Sequence, residues 1–245
     1  MIYIKTEQEI VLMREGGKIL ADILHELSEA AKPGITTNSL DELARALLLK
    51  YSVEPSFLGY NGFPAVLCVS INDEVVHGIP SNRIIQKGDL VKLDMGIIHR
   101  GFHTDSAVTV LTGDRDKEKE KLINVTKEAL KIGISKARPG NTTGDIGKAI
   151  QEYVEDQGFN VPRELIGHGI GKSLHEAPEV PNYGRKGEGT ELSPGMTIAI
   201  EPMVLIGDWR VKEKGQVFYT HDGSMSAHFE HTIAVTDSSP LILTD

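Results

Sequence analysis

The sequence predicts an α+β fold made of two similar halves, with helices flanking an antiparallel sheet. Three observations carry this expectation. Two helical patterns precede a strand-rich stretch, and the series then repeats. The strands come in pairs joined by turn signals, as antiparallel ladders require. Three local patterns also recur in the same order. Pro33-Gly34-Ile35-Thr36-Thr37-Asn38-Ser39-Leu40 is matched by Pro139-Gly140-Asn141-Thr142-Thr143-Gly144-Asp145-Ile146. Gly88 and Gly195 each lead six residues on, through apolar residues, to a carboxylate: Asp94 or Glu201. Asp105-Ser106-Ala107-Val108-Thr109-Val110 is matched by Glu230-His231-Thr232-Ile233-Ala234-Val235. Chance gives any one of these; three in one order point to duplication. The reading is a single domain over residues 1–245, with halves of about 1–112 and 113–245.

Thr6-Glu7-Gln8-Glu9 is a capping box, and Ile10, Met13, Leu20, Ile23, Leu24 and Leu27 follow at helical spacing. Pro33-Gly34 ends that helix. Ser39 with Glu42 caps a second, which carries Leu40, Leu43, Leu47 and Leu48. A Gly-rich aromatic loop at 57–64 precedes a strand at 65–71. Asn72-Asp73-Glu74 turns the chain into Val75-Val76-His77-Gly78-Ile79-Pro80, and a further strand runs into Asp94. Charged residues 114–121 open a third helix reaching about Ala137. Pro139-Gly140 ends it, and a fourth covers Thr143–Asp156. Residues 165–178 are rich in Gly and His. A strand at 196–200 ends at Glu201-Pro202, a longer excursion holds Trp209, and strands near Val217–Thr220 and at 229–235 follow.

The 245 residues suffice for one sizeable domain, and 40% hydrophobic with 25% charged residues is the composition of a globular protein. A net charge of −9 argues against a specific nucleic-acid partner. No apolar run approaches the length of a membrane span, and Met1-Ile2-Tyr3-Ile4-Lys5 lacks a signal-peptide pattern. Cys68 is the only cysteine, so no intramolecular disulfide forms, and the expected compartment is the cytoplasm.

The chemistry centres on one hairpin. Apolar residues run into Asp94, and Ala107-Val108-Thr109-Val110-Leu111 leaves Asp105. With His99-Arg100-Gly101 as the turn, the midpoint falls between His99 and Arg100. That sets the two aspartates directly opposite on one face, about 5 Å apart. Carboxylates that close do not both ionise without a cation, and hard oxygen donors suit a divalent metal. Two solvated aspartates at a hairpin end are the plainer alternative. Duplication favours the metal: two halves packed face to face bring Asp94, Asp105, Glu201 and Glu230 together, a repulsive set without cations. Two divalent ions about 3.5 Å apart, bridged by carboxylates, form a recognised hydrolytic arrangement.

Gly167-His168-Gly169-Ile170-Gly171 places an imidazole between glycines, which allows close backbone approach. Imidazole is the natural nitrogen ligand for a transition metal. His175 follows seven residues on. His77 reads either as a core histidine or as a neutral donor to substrate. His99 and His103 lie near the turn and read as solvent-facing, His103 sharing the parity of Asp105. His228 shares the parity of Glu230 and is given little weight.

These stretches resemble the type I methionine aminopeptidases, of the pita-bread (creatinase/aminopeptidase) fold. The carrying residues are Leu93-Asp94-Met95-Gly96 through Asp105, Gly167-His168-Gly169-Ile170-Gly171 through His175, Ile200-Glu201-Pro202-Met203, and Ser226-Ala227-His228-Phe229-Glu230-His231-Thr232. The loop from Ser70 to Pro80 is similar to that family too, and the resemblance covers nearly the whole chain. It implies an internally duplicated sheet with a central dimetal site. Asp94, Asp105, His168, Glu201 and Glu230 would be the ligands, with Asp105 and Glu230 bridging. The ions implied are two divalent cations: cobalt, manganese, iron or zinc. The family's flanking histidines fall on His77 and His175, and its methionine pocket on Phe57, Tyr60, Phe63, Cys68 and Leu174. The implied reaction removes the initiator methionine from nascent proteins by a metal-activated hydroxide attacking the first peptide bond. Glu201 would shuttle the proton, His175 would donate to the oxyanion, and His77 would contact the leaving nitrogen. The implied partners are nascent N-termini, met by a monomer in transient contact with the ribosome.

The sequence departs from the family's pattern at Ile166, where Met, Phe or Tyr is usual, and at Gln216, near a usual Trp. An Xaa-Pro peptidase on the same scaffold is one rival, although those relatives usually carry an extra N-terminal domain. A binding module that keeps the fold is another, disfavoured by five filled ligand positions. The short span between His168 and Glu201 leaves no room for the helical insertion of type II enzymes.

Overall fold

In the computed structural model, which describes residues 2–245, the capping box at Thr6 closes both ways. Its hydroxyl accepts from the Glu9 amide, and the Glu9 carboxylate accepts from the Thr6 amide at 2.9 Å. The helix it opens, α1 (Glu7–Ala30), buries Met13, Leu20, Ile23, Leu24 and Leu27, the stripe that the spacing predicts. The second helix, α2 (Thr37–Tyr51), starts earlier than Ser39 and Glu42 suggest. Thr36 is the cap, its hydroxyl accepting from the Ser39 amide at 3.1 Å, so Ser39 supplies a donor in the first turn instead of capping it.

The first half continues with β1 (Glu54–Pro55), β2 (Cys68–Ile71), β3 (Glu74–Val76), β4 (Leu90–His99) and β5 (Phe102–Leu111). The second half opens with α3 (Lys117–Lys136) and α4 (Thr143–Asp156). It then adds β6 (Gly167–Gly169), β7 (Glu176–Val180), β8 (Thr197–Ile200), β9 (Met203–Leu205), β10 (Val211–Lys214), β11 (Val217–Thr220), β12 (Ser226–His228), β13 (Glu230–Ala234) and β14 (Leu241–Ile242). The main sheet runs β1-β4-β5-β13-β8-β6-β7, with β2 also on β4 and β14 also on β13. Its pairings are antiparallel. The hairpin of the first half therefore meets the β8–β13 pair of the second along a central β5–β13 seam.

Helices cover one face of this sheet. Leu20, Ile23 and Leu40 pack with Val91, Leu93 and Met95 of β4. Val125, Ala129, Ile146 and Ile150 pack with Ile198 and Ile200 of β8 and Ile233 of β13. Odd-numbered residues of β4 thus face the helices. Alternation sends Asp94 to the other face.

The turn corrects the register read from the sequence. β4 and β5 close at His99↔Phe102, leaving Arg100-Gly101 as a two-residue turn. Both residues have positive φ, 50° and 82°, the requirement of the hairpin turn whose twist matches the strands. Asp94 consequently pairs with Ala107, and Asp105 with Gly96. The aspartates are diagonal neighbours instead of directly opposed. They still share a face, because the offset is two residues.

Gly167 lies hard against β8: a Cβ there would sit 2.3 Å from the Ala199 carbonyl oxygen. Gly167→Ala must push β6 away from the sheet and is expected to cost about 2–3 kcal/mol of stability. Urea unfolding of the metal-free protein measures this; an unchanged midpoint would show that the strands have slack the packing denies.

Candidate metal centre

One row of the sheet explains how the carboxylates meet. Cys68 on β2 pairs with Asp94 on β4, Asp94 with Ala107 on β5, and Ala107 with Glu230 on β13. The four share a face, and Asp105 joins it two residues along β5. The methyl group of Ala107 separates Asp94 from Glu230 and leaves space above it. Hydroxyls staple the seam. Thr232 Oγ1 accepts from the Asp105 amide at 2.9 Å and donates to the Asp105 carbonyl at 2.8 Å. Ser106 Oγ donates to the Glu230 carbonyl at 2.7 Å.

His168 enters from β6. Its glycine neighbours allow this: a Cβ at Gly169 would meet the Ala177 carbonyl oxygen at 2.1 Å, as one at Gly167 would meet Ala199. His168 Nδ1 lies 2.8 Å from the Gly169 carbonyl oxygen. Donation there leaves the Nε2 lone pair free for a ligand. Glu201 follows β8 directly. Its Oε1 is 3.7 Å from His168 Nε2, and its Oε2 is 3.8 Å from His228 Nε2. Ligand atoms of Asp105, His168 and Glu230 lie within 4.8 Å of one another. Asp94 and Glu201 stand outside that tight group but line the same cavity.

Burial dominates the electrostatics. It pushes Asp94 up to about 7. Asp105 is raised well above the carboxylate range by burial and then by the charge of Asp94. Glu201 is raised by burial, then by Asp94 and Asp105. Glu230 is raised by burial, then by Asp105, Glu201 and Asp94. Burial pulls His168 down to about 3, so it is neutral, the form a metal takes. Oδ1 of Asp94, Oδ1 of Asp105 and Oε1 of Glu230 are buried without a hydrogen-bond partner. Each stranded group costs about 1–3 kcal/mol, more when charged. A divalent cation would satisfy all three, and this donor set of oxygens with one imidazole suits a transition metal.

The cavity has a volume of about 470 Å³, and all twelve residues assigned a site role from the sequence line it. Phe57, Phe63, Cys68 and Leu174 form its buried apolar wall. Tyr60 is more exposed, and its hydroxyl meets His175 Nδ1 at 2.8 Å. The His175 ring stacks edge-on to His168 with centroids 4.2 Å apart. His77 holds a left-handed backbone, φ 60°, a strained conformation for a residue with a side chain. Burial and the charge of His175 lower its basicity. Ile166 and Gln216 line the cavity as well. The Gln216 amide donates to the Asn61 carbonyl at 3.0 Å, so a polar bridge stands where the resemblance suggests an aromatic rim.

Three histidines differ from their sequence reading. His99 is half-buried, its side chain 17% exposed and its Nε2 3.4 Å from Glu15 Oε2. His103 is half-buried and meets Ser56 Oγ at 2.9 Å. His228, given little weight, is 1% exposed and sits beside Glu201. Its parity with Glu230 was the available signal. Among the described residues no helix is long and apolar enough to cross a membrane.

The model of metallopeptidase family M24 matches residues 11–237. A methionine aminopeptidase of Clostridium acetobutylicum is 51% identical, the match covering 100% of this chain and 99% of that protein. The crystal structure of a methionine aminopeptidase from Thermotoga maritima superposes with a TM-score of 0.97 at 45% identity, covering 100% of both chains. An Xaa-Pro dipeptidase from Bacillus anthracis shares the fold, with a TM-score of 0.79 at 23% identity over 99% of this chain and 62% of that one.

Without metal, the folded carboxylates keep protons at pH values where the unfolded chain, titrating near 4, has released them. Each proton so held lowers stability by about 1.4 kcal/mol per unit of rising pH. Buried neutral His168 and His228 act in the opposite sense, but only below their ordinary 6.5. Lys92, pulled down to about 7 by burial, opposes above that value with one proton. The metal-free protein should therefore lose stability as pH rises above about 6.5, and Mn2+ should flatten the slope by keeping the carboxylates ionised. Denaturant unfolding above that pH tests this; a metal-free stability that rises throughout would contradict it.

Proposed function

Because this chain belongs to metallopeptidase family M24, among its methionine aminopeptidases, we propose that its carboxylate–imidazole cleft removes the N-terminal methionine from nascent proteins and peptides. It is a metal-dependent hydrolase acting at the chain end. The observation that carries the residue assignments is the convergence of twelve side chains on one cavity, three of them with buried carboxylate oxygens that no protein donor satisfies.

Asp94, Asp105, His168, Glu201 and Glu230 would hold two divalent ions. Bound there, such ions supply Lewis acidity and make water acidic enough to ionise near neutral pH. Cobalt, manganese, iron and zinc all suit the donors, and availability selects among them.

The protein's own groups do the rest. Glu201 accepts the proton of the attacking water and passes it to the departing amine. With the Tyr60 hydroxyl donating to Nδ1, His175 keeps its proton on Nε2 and aims it at the carbonyl oxygen as charge builds. His77 contacts the amide nitrogen. Phe57, Phe63, Cys68 and Leu174 enclose the unbranched thioether. One methylene in such a pocket discriminates by only about 1–3 kcal/mol, so crowding at the second residue adds selectivity. The two halves, about 1–112 and 113–245, form a single catalytic domain in this reading. It acts as a cytoplasmic monomer on chains emerging from the ribosome.

The test is release of free methionine from a Met-Gly-Met peptide by metal-stripped protein, with manganese, ferrous iron, cobalt and zinc added back in turn. Metal-dependent release is expected. Cleavage of an Ala-Pro peptide instead would move the assignment to Xaa-Pro bonds. Glu201→Gln should lower kcat by about 10²–10⁴. His77→Ala should lower turnover with metal content intact; loss of metal in that variant would overturn its assigned role.

A further inference from the structure

His228 has no task in the reaction above, yet it is 1% exposed and neither of its ring nitrogens has a hydrogen-bond partner. The carboxylate oxygens stranded nearby have an answer in a cation. His228 does not line the cavity, so the same answer does not extend to it. An apolar side chain would fill this space without stranding two polar atoms. Its backbone is also held unusually firmly. Thr109 Oγ1 accepts from the His228 amide at 2.9 Å and donates to the His228 carbonyl at 2.7 Å, tying it to the strand that carries Asp105.

The ring faces Glu201. Nε2 of His228 lies 3.8 Å from Oε2, while Oε1 lies 3.7 Å from His168 Nε2. The carboxylate therefore sits between two imidazoles, one lining the cavity and one behind it. A movement of roughly an ångström by either side chain turns the His228 approach into a hydrogen bond. Ligating carboxylates are commonly fixed by such outer partners.

We propose that His228 is a positioning residue: its Nε2–H donates to Oε2 of Glu201, stops the carboxylate from rotating, and presents Oε1 on the His168 side. This rests on the reading of Glu201 as a metal ligand.

Calorimetric titration of Mn2+ into metal-free wild type, His228→Leu and His228→Gln tests it. His228→Leu should bind Mn2+ roughly 10–100-fold more weakly. Its kcat on Met-Gly-Met should fall while KM stays within about twofold, since the substrate pocket is untouched. His228→Gln keeps an N–H donor and should recover both affinity and kcat to within a few fold. Thermal unfolding of metal-free His228→Leu should remain a single cooperative transition, which separates a weakened site from a lost fold. Wild-type Mn2+ affinity in His228→Leu would overturn the inference alone. So would an equal loss in His228→Gln. Wild type that takes up no Mn2+ and releases no methionine would instead overturn the reading of the site beneath it.

Discussion

Four carboxylates buried against one another set the terms for the whole molecule. Burial and mutual repulsion raise the proton affinity of Asp105, Glu201 and Glu230, and burial alone raises that of Asp94. Two like charges 4 Å apart repel by about 4 kcal/mol even at an effective dielectric of 20. Loosely held side chains would swing apart. Here they stay because three of them project from adjacent strands of one sheet, in or beside a single row, with two hydrophobic cores packed behind. The metal-free cluster escapes that repulsion by keeping protons, which a bound cation would displace.

Neutral groups do the holding. Thr232, Ser106 and Thr109 bind the backbone across the β5–β12–β13 junction through their hydroxyls. A basic side chain among the carboxylates would neutralise them and remove their affinity for metal. Lys92 shares the face of Asp94, two residues along β4. Its ammonium is engaged elsewhere, by the Asn72 carbonyl at 2.8 Å and the Ser226 carbonyl at 3.1 Å. Those bonds also tie the loop leading to His77 against β12. A buried charge is thus spent on framework and kept from the cleft.

Much of this was legible in the sequence, and the gaps have physical causes. Strand parity survives errors of pairing by two residues, so Asp94 and Asp105 were read onto one face even though the turn proved shorter. Glycines flanking His168 signalled a close approach, and the carbonyls of Ala199 and Ala177 are what they approach. The pairing itself was not legible, because Arg100 in a left-handed conformation is allowed by the strand twist and not by its own preference. His228 was missed for a related reason. Its neighbour Glu201 arrives from another strand, and sequence parity says which way a side chain points without saying what it meets.

The cavity that gathers these groups has a bearing on timing. On the proposed assignment, a reaction centre in this cavity of about 470 Å³ acts on a chain end that can enter it. An N-terminus already tucked into its own folded domain cannot present itself. Processing and substrate folding are then in kinetic competition, and the outcome for each protein depends on which is faster. Two chains with identical first residues can end differently when one buries its terminus early. Selection is thereby partly a matter of when a terminus is available, and a slower-folding client is the more fully processed one.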